Sequence, residues 1–594
     1  MKDKNNFFKR FSRIVSILVL FCYGSTVQLF AQQTTFQYEG QYHDYVIPLQ
    51  TTRQYILLTA VGGDGGRIQF KNSFEDFKVG GGRGAFLKAY FKIGNASNNL
   101  KPGSTLRFIV GGSGESKLTA GSTGGGGGGG TGIAYKEVGT QKWTLLMVAG
   151  GGGGAGYDLL GGRYLGKPGP AYRQGEEGDG KGGESGADNG GGAGAFGDDI
   201  YRDGLVGTKY GKHAKAGWSG GPDAGEPTGG VCTGSGPQGG WGFGAGGDGR
   251  ATAYFSGGGG GYTGGDDGGN AGGSGGTSFV NTSMVPLFVL GLEQGTTTSP
   301  ANGYASLELV DESPYKSIRF AYNWLDCIHD YSNSTNNGTN IQLHNWMATD
   351  AQWWAISPED RTIRSKLNNA KCLDLSHGNT ANGTNIQLWD CNADDAQHWV
   401  YNGLYKTIHS GKNSEKCFDA KDGTQNPTNA NLQLWDCQYT NNNQKWNISG
   451  ATTVSDVSNM KHIVPVLATG FAVHSHTGAE SGSNIQLWTK DNTNTAEQWY
   501  FDGLAIKMRD HQNLCIDLSQ SSTSNGNNIQ LYSCNGTNAQ KWLYDGMTQS
   551  IRSVVNPDKC MQIEKNTDGV YGKRSNVNIY DCNGSDAQQF LIQE

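Results

Sequence analysis

Apolar and polar residues alternate in short runs through most of the chain, and in the C-terminal half one run recurs six times. The copies are Asn340-Ile-Gln-Leu-His344, Asn385-Ile-Gln-Leu-Trp389, Asn431-Leu-Gln-Leu-Trp435, Asn484-Ile-Gln-Leu-Trp488, Asn528-Ile-Gln-Leu-Tyr532 and Asn576-Val-Asn-Ile-Tyr580. Period-two alternation predicts a strand with its aliphatic residues on one face and its amide and aromatic residues on the other. Each run is followed by a Gln-x-aromatic ending: Gln352-Trp-Trp354, Gln397-His-Trp399, Gln444-Lys-Trp446, Gln498-Trp499 (shifted by one), Gln540-Lys-Trp542 and Gln588-Gln-Phe590. The closing aromatics are 45, 47, 53, 43 and 48 residues apart, and the longest gap holds a linker-like stretch, Ser449 to Val457. Six repeats therefore divide into three plus three. Turns such as Asn-Gly-Thr-Asn separate the strands, and no helical period is present. Units of this size gain a shared core by pooling their closing aromatics, and a glutamine buried beside them needs backbone partners for its amide.

The N-terminal half shows fewer alternating runs, at Tyr55–Val61, Leu106–Val110, Trp143–Val148 and Ala305–Val310. These predict strands of a β-sandwich. Between them the composition changes sharply: 75 of the 97 glycines fall within residues 61–280. Uninterrupted runs occur at Gly124–Gly130, Gly150–Gly154 and Gly257–Gly261. No Gly-X-Y period accompanies them, which excludes collagen. A flexible linker is the usual reading of such composition, but the framing strands favour extended, polyproline-II-like segments packed side by side.

Charge and cysteine content narrow the function classes. Only 17% of residues are charged and the net charge is −6, so a basic nucleic-acid-binding surface is excluded. Lys2, Lys4, Lys9, Arg10 and Arg13 precede an apolar stretch from Ile14 to Phe21, and cleavage after Ala31 fits a bacterial-type export signal over residues 1–31. No membrane span is expected once it is removed. Phe21 stands before Cys22 where a lipoprotein signal has a small residue. Of the remaining ten cysteines, eight pair with one spacing: Cys372 with Cys391, Cys417 with Cys437, Cys515 with Cys534, and Cys560 with Cys582. Regular pairing in an exported chain predicts disulfides rather than metal ligands. Cys232 and Cys327 are left over, either free or paired with each other. The Asp266-Asp267 cluster reads as a solvated loop. No metal, cofactor or phosphate-loop motif and no nucleophile elbow is present, so no cofactor and no catalytic residues are assigned.

The Cys-Leu-Asp, Ile-Gln-Leu-Trp-Asp-Cys-Asn and Ala-Gln-x-Trp elements resemble the ricin-type β-trefoil lectins over residues 314–449 and 457–594. The resemblance implies a shallow sugar site in each intact lobe. An aspartate accepts hydroxyl hydrogen bonds, an aromatic stacks on the sugar ring, and amide residues complete or support the site. Carried over, the second lobe offers Asp374, Gln387, Trp389, Asn392 and Gln397. The third offers Asp419, Gln433, Trp435, Asn443 and Gln444, and the fifth Asp517, Gln530, Tyr532, Asn535 and Gln540. The third, with an asparagine directly before its glutamine, is the best single candidate; Asp395 and Asn538 are possible substitutes in the other two. The remaining lobes look altered. His329, His344 and Trp346 replace the aspartate, the aromatic and the second cysteine of the first. Phe471 and Lys490 fall at the cysteine positions of the fourth, with Val473 at the aspartate. Gln562 replaces the aspartate of the sixth.

Residues 34–310 resemble the glycine-rich domain of anaplastic lymphoma kinase and of surface adhesins. Leu145-Leu-Met-Val-Ala-Gly-Gly-Gly-Gly-Gly154, the Gly257–Gly264 run and Asn302-Gly-Tyr-Ala-Ser-Leu-Glu-Leu-Val310 carry that likeness. The expected fold class is all-β: a glycine-rich β-sandwich followed by two tandem β-trefoils. The expected function is a secreted or cell-surface, non-catalytic, multivalent binder of glycans, of galactose type or in plant or bacterial polysaccharide. Two alternatives stand beside it: a polysaccharide hydrolase with its site in 34–310, and a protein that binds a cell-surface receptor through that domain.

Overall fold

The computed structural model describes residues 33–594 except 72–75, 119–122, 158–162, 171–183, 186–190, 197–199, 202–213, 217, 219–225, 233–236, 250–255, 268–271, 424–427, 455 and 458. The export-signal reading of residues 1–31 lies outside the described residues. Everything described is strand, turn, short 3-10 helix or irregular, and none of its helices is long and apolar enough to cross a membrane.

Two five-stranded antiparallel sheets frame the N-terminal part. One runs in the order Thr34–Gln37, Tyr304–Val310, Tyr55–Val61, Phe86–Lys92 and Phe288–Leu292; the other runs Phe279–Val280, Trp143–Ala149, Thr131–Lys136, Thr105–Ile109 and Tyr42–Val46. Ile56, Leu58, Leu87 and Phe91 from the first pack against Phe108, Ile133 and Met147 from the second, forming a closed apolar layer. This is a β-sandwich.

The glycine runs form a bundle at one end of these sheets. Within 124–130 the amide donors cycle among three neighbouring segments. Gly125 and Gly128 donate to the carbonyls of Ala155 and Gly152, Gly126 and Gly129 to those of Glu115 and Gly112, and Gly127 and Gly130 to those of Gly247 and Gly244. The 150–155 run repeats the scheme: Gly151 and Gly154 donate to Gly260 and Gly257, and Gly152 and Ala155 to Gly63 and Gly66. A partner that recurs every third residue is what an extended helix with three residues per turn produces. The segments lie so close that side chains are excluded. A Cβ on Gly128 would stand 2.0 Å from the Gly63 carbonyl oxygen, and one on Gly152 would stand 1.9 Å from that of Gly82.

Each C-terminal repeat folds as a hairpin, a 3-10 turn and a returning strand. In the second lobe Lys371–Leu375 pairs with Thr384–Asp390, placing Cys372 opposite Trp389 and Asp374 opposite Gln387. The Asp395–Gln397 turn then leads into Trp399–Asn402. Ile318–Phe320 pairs with Trp446–Ile448 to close the first set of three lobes, and His462–Pro465 pairs with Phe590–Gln593 to close the second. Each set surrounds its own core, containing Trp354, Trp399 and Trp446 in one and Trp499, Trp542 and Phe590 in the other. The buried indoles satisfy their N–H groups alike: Trp399 donates to the Leu373 carbonyl at 2.9 Å, Trp499 to Val473 at 2.9 Å and Trp542 to Ile516 at 3.0 Å. Disulfides join Cys372–Cys391, Cys417–Cys437, Cys515–Cys534 and Cys560–Cys582. Cys327 is a buried thiol in the first lobe, and burial pushes its pKa up to about 12; Cys232 is buried in the glycine-rich part.

The two trefoils touch through Val400, Leu504 and Leu543 and through paired backbone at Asn402 and Asp545. The sandwich meets the first trefoil where Phe288 and Leu290 pack on Tyr315 and Ala355, beside a Lys88–Glu359 ion pair.

Gly128→Ala is expected to cost about 2–4 kcal/mol through overpacking against immovable backbone. Gly470→Ala, which meets nothing within 4 Å, should stay within about 0.5 kcal/mol. Thermal melts of the full chain would check both, with the Gly128 variant beginning to melt at a clearly lower temperature and the Gly470 variant unchanged.

Candidate functional site

The hairpin register puts an aspartate and an exposed aromatic on the same face of three lobes. Cross-strand pairing of Asp374 with Gln387, Asp419 with Gln433, and Asp517 with Gln530 fixes that geometry. The aspartates are buried among the hairpin residues. Two positions further along each partner strand stand Trp389, Trp435 and Tyr532, which keep 39%, 36% and 44% of their surface exposed. Carboxylate and ring are thus neighbours on a shallow surface.

The aspartates are held by amides. Gln387 Nε2 donates to Asp374 Oδ1 at 3.0 Å and Gln397 Nε2 to Oδ2 at 3.1 Å. In the third lobe Gln433 and Gln444 hold Asp419 at 2.9 and 3.2 Å. In the fifth, Gln530 holds Asp517 at 3.0 Å, while Gln540 turns its amide to the Ser533 carbonyl. Burial raises the pKa of Asp374 and of Asp419, and the glutamine amides pull both back down. A carboxylate oriented in this way can accept hydrogen bonds from hydroxyls while the adjacent ring takes an apolar face.

Gln397, Gln444 and Gln540 are themselves buried. Their Oε1 atoms accept the backbone N–H groups of Asn392, Gln438 and Asn535 at 2.9, 2.7 and 2.7 Å, and their Nε2 atoms donate to the carbonyls of Asp390, Asp436 and Ser533. They act on the surface from behind, by clamping the hairpin end. Asn392 and Asn535 are exposed, with Oδ1 turned to the amides of Asp394 and Thr537. Asn443 is half-buried beside Gln444. Asp395 is exposed, and its Oδ1 meets His398 Nδ1 at 3.0 Å.

Two readings of the fourth lobe are corrected by the register. Ala472, not Phe471, lies opposite Trp488, and His474, not Val473, lies opposite Gln486. His474 therefore occupies the aspartate position, as His329 does opposite Gln342 in the first lobe. Both imidazoles fill the slot beside the strand aromatic: His329 lies against His344 at 5.0 Å and His474 stacks on Trp488 at 5.5 Å. Desolvation lowers the pKa of both. The clamp position of the fourth lobe belongs to buried Glu497, not Gln498: Glu497 Oε1 accepts the Asp491 N–H at 2.6 Å, and Oε2 has no partner. Sequence reading missed Glu497 because Gln498 beside it has the expected identity. Trp346, at the missing second cysteine of the first lobe, is instead covered by the Arg319 guanidinium at 3.7 Å. In the sixth lobe Gln588 Nε2 donates to Gln562 Oε1 at 3.0 Å, an amide pair where the other lobes hold a carboxylate.

Among the described residues, His409, Cys417 and Cys437 bring three metal-type ligand atoms together, but both sulfurs are bound to each other.

Three overlapping segments, 317–446, 408–542 and 459–590, match the family model of the ricin-type β-trefoil lectin domain. The C-terminal repeats form ricin-type β-trefoil domains. No curated protein matches the chain in sequence. Among solved structures, the agglutinin of Abrus precatorius is 20% identical, with 48% of this chain and 97% of that one covered and a TM-score of 0.22. A non-toxic homologue of type II RIPs from Momordica charantia (bitter gourd), solved in complex with α-methyl-D-galactoside, is 19% identical over 47% and 97%, at 0.22. The C-half of an earthworm R-type lectin, solved with GalNAc, is 20% identical over 23% and 96%, at 0.19.

Glu497 sets a pH test within the trefoils. Burial raises its pKa from 4.5 to about 7, helped by Asp491 and opposed by Lys490 and the Asp491 N–H. The folded chain thus binds this proton more tightly than the unfolded chain. Its contribution is fully present below about 4.5 and is lost as pH rises towards 7. Glu497→Gln, whose amide supplies the missing donor permanently, should raise the trefoil melting temperature by about 2–4 °C at pH 8 and leave it unchanged at pH 4.5. Calorimetry at the two pH values would check this.

Proposed function

We propose that this is a secreted, multivalent, non-catalytic carbohydrate-binding protein, with its sugar sites in the second, third and fifth lobes. The observation that carries the reading is the threefold recurrence of one constellation within ricin-type lectin domains: a buried carboxylate held by side-chain amides, next to a half-exposed aromatic ring. Asp374 with Trp389, Asp419 with Trp435, and Asp517 with Tyr532 are the proposed hydroxyl acceptors and stacking platforms. Gln387, Gln433 and Gln530 orient the carboxylates. Gln397, Gln444 and Gln540 stabilise the hairpin ends, and Asn392, Asn443 and Asn535 border the sites.

Shallow sites of this kind bind singly with low affinity, and three on one chain gain avidity when their spacing matches a repeated glycan. The disulfides and the export-type N-terminus support secretion. In the N-terminal part, buried Asp64 accepts the N–H groups of Gly84 and Ala301 at 3.0 and 2.9 Å. A carboxylate committed to backbone in this way supports a structural rather than a catalytic reading. We read residues 34–310 as a glycine-rich domain of the kind found in anaplastic lymphoma kinase.

A glycan array probed with the full chain should give hits that fall about tenfold or more on Asp419→Ala or Trp435→Ala, since one lost site lowers avidity as well as local affinity. They should disappear when Asp374, Asp419 and Asp517 are all replaced by alanine. Binding unchanged by the triple substitution would overturn the site assignment.

A further inference from the structure

The fourth lobe has lost its aspartate and its disulfide, and its surface groove is lined by Trp488, Lys490, Asp491, Asn492, Asn494 and Lys573. Lys573 comes from the loop of another lobe. The Arg574 N–H donates to the Leu487 carbonyl at 2.8 Å, pinning that loop beside the Trp488 strand, and Lys573 Nζ sits 3.9 Å from the Trp488 ring centroid. Lys490 takes the place of the second cysteine, and its Nζ donates to the neutral Gln593 Oε1 at 3.1 Å. Among the described residues neither ammonium has a carboxylate within 4 Å.

This departs from the other lobes. Lys371, Lys416 and Lys559 are each paired with the aspartate that follows or lies near the strand aromatic, Asp390, Asp436 and Asp581, at 2.6, 2.5 and 2.6 Å. In the fourth lobe both members of that pair are replaced, by Phe471 and Thr489, so no aspartate follows its strand aromatic. The one acidic side chain of the groove, Asp491, has its Oδ1 engaged by the Thr493 N–H and hydroxyl at 2.8 and 2.7 Å. Where the second lobe presents Asp374, Asp394 and Asp395, the fourth presents Lys490 and Lys573, an indole and the amides of Asn492 and Asn494, with Asp491 as its one carboxylate. Acceptors for hydroxyls have been exchanged for donors to an anion.

We propose that the fourth lobe binds the anionic group of an acidic sugar, a carboxylate or a sulfate, between Lys490 and Lys573, with Trp488 alongside the ring. This rests on reading the lobes as sugar sites and adds a specificity opposite to that of the three aspartate lobes. A carboxylate entering those lobes meets a buried aspartate; entering the fourth, it meets two ammonium groups.

The test uses the full chain and four probes: a neutral galactoside, its sulfated form, an oligogalacturonate and inorganic sulfate. The sulfated sugar or the uronate should bind the wild type, and Lys573→Gln together with Lys490→Gln should weaken that binding about tenfold or more. Neutral-sugar binding should not change. Binding of the anionic probe should also fall as salt is raised through 0.3 M, since an exposed ion contact is screened within about 10 Å. Lys565→Gln, on the same loop, is the control and should leave both unchanged. The variant with Asp374, Asp419 and Asp517 replaced by alanine separates the two proposals. If it keeps the anionic binding and loses the neutral binding, both hold; if neutral binding is absent in every form while the lysine-dependent anionic binding persists, only the aspartate sites fail. Failure of both anionic sugars to bind, inorganic sulfate competing as well as the sugars, or equal binding by the double lysine variant would overturn the fourth-lobe site.

Discussion

A side-chain amide sealed away from water has to satisfy its oxygen and both hydrogens inside the protein, or its burial costs more than its packing returns. In five of the six lobes the glutamine before the closing aromatic meets that demand in a way that builds the surface above it. In the second lobe its oxygen takes the Asn392 N–H, and its nitrogen serves the Asp390 carbonyl and the Asp374 carboxylate together. The same residue ties the end of one strand, the turn after it and the aspartate of the opposing strand. Gln352 in the first lobe and Gln588 in the sixth hold their hairpin ends alike, although neither lobe keeps the aspartate. The clamp is therefore a requirement of the fold, and the sugar-facing constellation is built upon it.

The glycine-rich part meets the demand for satisfied backbone by other means. It has few side chains to spend, so its amides find carbonyls on three surrounding segments in rotation. That scheme works only when the chains approach closer than a Cβ permits, and this explains why the glycine is concentrated in runs. Strands rich in Ile, Leu and Phe supply the apolar layer that the bundle lacks, and the bundle in turn covers one end of the sheets. A long glycine run taken alone would be a linker; framed by a sandwich it becomes a packed lattice of backbone.

How much of this was legible in the sequence depended on whether a local anchor survived. The Ile-Gln-Leu-aromatic strands, the four cysteine pairs and the closing tryptophans all mark register directly, and the three-plus-three division follows from their spacing. Where a lobe lost its cysteines, nothing local marks register, and an alignment that puts Phe471 at the cysteine position is one residue out. In a strand a one-residue shift exchanges the inward and outward faces, which puts Val473 where His474 stands. Glu497 was hidden for a similar reason, because its neighbour is a glutamine. Other features are not local at all. Asn337, Asn382 and Asn525, each in the turn of one lobe, hold the aspartate and lysine of the next, as Asn337 does with Asp390 and Lys371. Lys573 reaches the fourth lobe from a loop more than eighty residues downstream. No spacing rule within one repeat reveals contacts of this kind.

The division of labour between core and surface explains why the lobes could diverge. The closing aromatics and the aliphatic residues of the strands serve a core shared by three lobes, and changing any of them would disturb all three. The aspartate, the strand aromatic and the disulfide sit outside that core and affect one lobe each. It is consistent with this that His329 and His474 occupy the same position in the first lobe of each trefoil. There a neutral imidazole packs against its neighbouring ring and needs no counter-charge, whereas a buried aspartate requires amide donors. A lobe relieved of its carboxylate loses a sugar acceptor but gains freedom in the charges it displays. In the first lobe that freedom is filled by Arg319 covering Trp346. In the fourth it leaves Lys490 and Lys573 facing an open groove, because the same threefold frame that fixes the core places no demand on what stands there.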